Sequence, residues 1–138
     1  MGGQGRIWQY AGRMNDPAAS LRDSPQRPWQ LIAGLSGGVG VTAAALGAHA
    51  VPDPALVKLV ETASEYQLIH AAVLLWLASS PRRGLSWARW LFLVGTLLFC
   101  GTLYLKAFAI LPGAVALAPW GGTSFILGWL VLAVDALL

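Results

Sequence analysis

The stretch WQLIAGLSGGVGVTAAALGAHA, residues 29–50, carries no charged side chain from end to end. An uncharged, mostly apolar run of about 18 residues or more is long enough to cross the hydrocarbon core of a bilayer as a helix. Trp29 stands at one end, where an indole suits a membrane interface, and Pro52 stops the helix beyond the other. Working outward, the same depletion recurs: no charge lies between Tyr66 and Pro81, and only Lys106 and Asp135 between Trp90 and Leu138. Of the 138 residues, 57% are hydrophobic and 11% charged, against about 45–50% and 25% in soluble domains. The chain therefore reads as an integral membrane protein.

Four spans are expected, at 29–50, 54–80, 86–111 and 120–138. The second is short of apolar length unless it is extended back to Pro54, which suits the first helical position, with Asp53 as its N-cap. Its opening ALVKLVETASE is amphipathic, with Leu56, Leu59, Val60 and Ala63 on one side and Lys58, Glu61 and Glu65 on the other. That segment is expected to protrude from the membrane or lie along it. Pro112, Gly113 and Pro119 bracket the connection between the last two spans. Short connections make the predicted fold an all-α, antiparallel up-and-down four-helix transmembrane bundle over 29–138. Residues 1–28 form a polar tail in which RIWQYAGRM has the make-up of an interfacial helix. Arg6, Arg13, Arg22 and Arg27 precede the first span, and Arg82, Arg83 and Arg89 flank the second connection. The positive-inside rule then puts both termini in the cytoplasm, in a bacterial inner membrane or, on the matrix side, in a mitochondrial inner membrane. Since the net charge of +3 has this topological meaning, no nucleic-acid partner is implied. The lone Cys100 excludes an internal disulfide.

Two sets of residues are candidates for a role. Small residues at four-residue spacing, Gly34, Gly38, Gly40, Ala44 and Gly47, let a second backbone approach the first helix, which is expected to be the most buried. The second set is polar: Thr62, Tyr66 and His70 share one helix face, His49 ends the first span, and Lys106 lies near the same membrane surface. Intramembrane ionisable groups suggest ion or proton handling, and two histidines on antiparallel helices could ligate a haem. Hydrogen bonding across helices, with Tyr66 or His49 as the partner of His70, is the simpler use. No order of groups suited to catalysis is present, no metal site is expected, and Lys106 is expected to snorkel.

ALGAHA ending the first span, YQLIHAAVLL in the second, LLFCGTLYL in the third and LAPWGGTSFILGWLVLA in the fourth resemble, in order and spacing, the small membrane proteins of domain of unknown function 423, which include transmembrane protein 256. The resemblance covers about residues 30–137. It implies a four-helix membrane protein and brings no activity with it. The shared pattern carries His49, Tyr66, His70, Gly121, Gly122, Gly128 and Trp129. The leading expectation is a non-enzymatic interaction or accessory subunit without a cofactor, in contact with the lipid bilayer and with a membrane protein partner or further copies of itself. An ion or proton transport component built on His70, Tyr66 and His49 is the alternative, and a haem-binding module the third.

Overall fold

The computed structural model describes residues 26–80 and 83–137, so the tail reading falls almost wholly outside the described residues. Helix α1 is Arg27–Ala50 and α2 is Pro54–Ser79. Asp53 caps α2 as expected, its carboxylate accepting from the Ala55 N–H at 2.8 Å, with Pro54 at the first position, where no N–H is needed. The third helix opens with α3, Ser86–Gly95, passes through a π-helical turn, Thr96–Gly101, and closes as α4, Thr102–Ala107. A 3-10 segment, Pro112–Leu117, leads into α5, Ala118–Asp135.

The connection between the last two spans both begins and ends earlier than expected. The third helix stops at Ala107 rather than Leu111, because Ala109 turns left-handed (φ 56°) and the N–H of Ile110 folds back onto the Leu105 carbonyl at 2.9 Å. This is a helix-ending turn that glycine usually makes. The fourth begins before Trp120, since Pro119 fits the first turn of α5.

Consecutive helices run antiparallel. Gly47 meets Val60 and Gly40 meets Leu68 between α1 and α2. Tyr66 meets Phe99 and His70 meets Phe92 between α2 and the third helix. Gly95 meets Phe125 and Gly128 meets Phe92 between the third and fourth. The protein is thus an all-α membrane bundle, in which Arg27–Ala50, Ser86–Ala107 and Pro112–Asp135 are each long and apolar enough to cross a bilayer. α2 has the length, about 39 Å for its 26 residues, but is not among the helices with that composition. Its first half carries Lys58, Glu61 and Glu65 besides Ser64, Gln67 and His70, and the last three of these are turned into the bundle.

The expectation that α1 is the most buried helix is overturned. α1 buries only Ala33, Gly40, Ala43 and Gly47, whereas α2 buries Val60, Ala63, Ala71, Leu74, Leu77 and Ala78 as well as its polar residues. Flanked by both α1 and the third helix, α2 is the central strut. Its Leu74 and Leu77 join Phe92, Cys100 and Phe125 in the main core.

Candidate functional site

His70 is the centre of the buried polar structure. It is 3% exposed and its ring stacks on Phe125 with centroids 3.7 Å apart and planes 10° from parallel. Phe92 and Trp129 close around it at 5.3 and 6.1 Å, and Tyr66 and Phe99 continue the aromatic layer toward the surface. The π-helical turn carries Phe99 into this layer; a single π turn inserts a residue and redirects the side chains that follow.

Both ring nitrogens of His70 are engaged. The Trp129 Nε1–H can only donate, so His70 Nε2, 3.3 Å away, is an acceptor. The ring proton then sits on Nδ1, which donates to the Tyr66 carbonyl at 2.7 Å. The result is a neutral imidazole of defined tautomer, with no lone pair free for a metal. Below it, Gln67 reaches across to α1, donating through Nε2 to the Ser36 carbonyl at 2.8 Å. Ser124 ties α5 to α3 by donating to the Leu91 carbonyl at 2.7 Å. Such interhelical bonds hold membrane helices together where lipid supplies no hydrophobic drive.

The structure does not assemble the expected five-residue cluster. Tyr66 and His70 are together, but His49 is exposed at the end of α1. By the antiparallel register His49 is level with residue 58 of α2, about 18 Å from His70 along the bundle. Two axial haem ligands must face one another across one iron, and these two histidines do not. His70 is partnered across the bundle by Trp129 and on its own helix by the Tyr66 carbonyl, not by His49. Thr62 is half-buried one turn before Tyr66, and Lys106 is half-buried about 15–20 Å along the bundle from His70. Among the described residues, no group of three or more His, Cys, Asp or Glu is placed to hold a metal ion.

The glycines divide into two classes. A Cβ on Gly47 would lie 2.6 Å from Val60 and one on Gly128 2.8 Å from Phe92, while one on Gly121 would run into the backbone of Leu98 and Phe99. A Cβ on Gly40 would meet Leu68 at 3.2 Å and one on Gly122 would approach Phe99 at 3.9 Å. Ala44 is half-buried. A Cβ on Gly34 or Gly38, by contrast, would meet nothing within 4 Å, so these two do not pack the bundle. They line an apolar groove of about 500 Å³ with Leu35, Val39, Tyr104 and Phe108. Gln67, Ser124 and Trp129 were missed as polar contacts in the sequence. Trp129 had a signal in its place within the shared motif, whereas the other two look like ordinary polar residues.

Fold and site define a small helical membrane protein in which His70, Gln67 and Ser124 tie neighbouring helices together by hydrogen bonds. Residues 43–122 match the protein family of unknown function DUF423, and the chain belongs to that family. It is 36% identical over 114 residues to the UPF0382 inner membrane protein YgdD of Escherichia coli K12, covering 78% of this chain and 87% of that one. It is also 33% identical over 113 residues to a UPF0382 membrane protein of Staphylococcus epidermidis, covering 78% and 93%, and 36% identical over 110 residues to one of Haemophilus influenzae, covering 74% and 87%. No solved structure matches.

Proposed function

We propose that the protein is a non-enzymatic interaction or accessory subunit of a larger membrane assembly, working without a cofactor in a bacterial inner membrane, with both termini cytoplasmic. The observation that carries this reading is the open glycine face of α1, where a Cβ on Gly34 or Gly38 would meet nothing within 4 Å. Small residues four apart let a second helix come close enough to gain dispersion contact that lipid cannot match, and Thr42 continues the stripe along the same groove. The arginine bias toward one end supports the orientation. Ion or proton transport has less support, because His70 commits both ring nitrogens to Tyr66 and Trp129.

Native mass spectrometry after gentle extraction from the cell's own membrane tests the proposal. The expected result is a complex containing a second kind of polypeptide, lost in a Gly34→Leu, Gly38→Leu variant that still folds. The bare chain as the sole species, or a complex indifferent to those substitutions, would refute it.

A further inference from the structure

We draw no further inference here: the strongest candidate, the apolar groove of about 430 Å³ between the third helix and α5, lined by Leu91, Leu127, Leu130 and Val134, carries none because nothing in the structure shows what covers it.

Discussion

The seam between the third and fourth helices and the outer face of α1 use the same residue to opposite ends. On the seam, Gly95, Gly121 and Gly128 are notches: Phe125 fills the first, the backbone of Leu98 and Phe99 passes over the second, and Phe92 fills the third. On α1, Gly34 and Gly38 lie four apart, as notches should, yet they front an open groove. Glycine spacing therefore marks where a close approach is available, and only the neighbouring helix decides whether it is used.

Substitution at the most crowded notch should break the comparison hardest. Gly121→Ala sets a methyl group against main chain that cannot move aside, and should cost about 3 kcal/mol, at the upper end for overpacking. Unfolding of the purified protein in a denaturing detergent titration would measure it. Gly128→Ala presses on the Phe92 ring at 2.8 Å, which has room to tilt, so about 1–2 kcal/mol is expected in the same titration. His70→Phe keeps a ring against Phe125 but leaves the Trp129 N–H without its acceptor, a loss of about 1 kcal/mol.

Ala109→Gly should act in the opposite direction. Its left-handed backbone is strained for alanine, and glycine should stabilise the chain by about 1 kcal/mol, seen as a later unfolding midpoint. Smallest of all, Gly34→Ala and Gly38→Ala should leave the isolated bundle within about 0.5 kcal/mol of its starting stability. A large loss from either would mean that the open face is closed within the bundle, and the contrast with the seam would fail.

Much of the architecture was legible without coordinates. Runs without charge located the helices, Asp53 and Pro54 marked the start of α2, and short connections called for antiparallel neighbours. These features are local: desolvation of charge, capping and proline geometry act within a few residues of where they are written. The site was less legible. Tyr66 and His70 share a helix face by spacing alone, but nothing near them in the chain indicates that Trp129, 59 residues away, supplies the hydrogen bond.

The sequence by itself determined that this is a helical membrane protein, roughly where its helices lie and which residues could be small or polar contacts. Tertiary structure alone decided that α2 rather than α1 is the central helix, that His49 and Lys106 stand apart from His70, and that some glycines are filled while others stay open. The physical reason is that helix formation in lipid follows from the hydropathy and backbone needs of each segment separately. The use made of any one helix face depends on which other helix is packed against it, and that is set by pairwise shape and hydrogen bonding across the bundle.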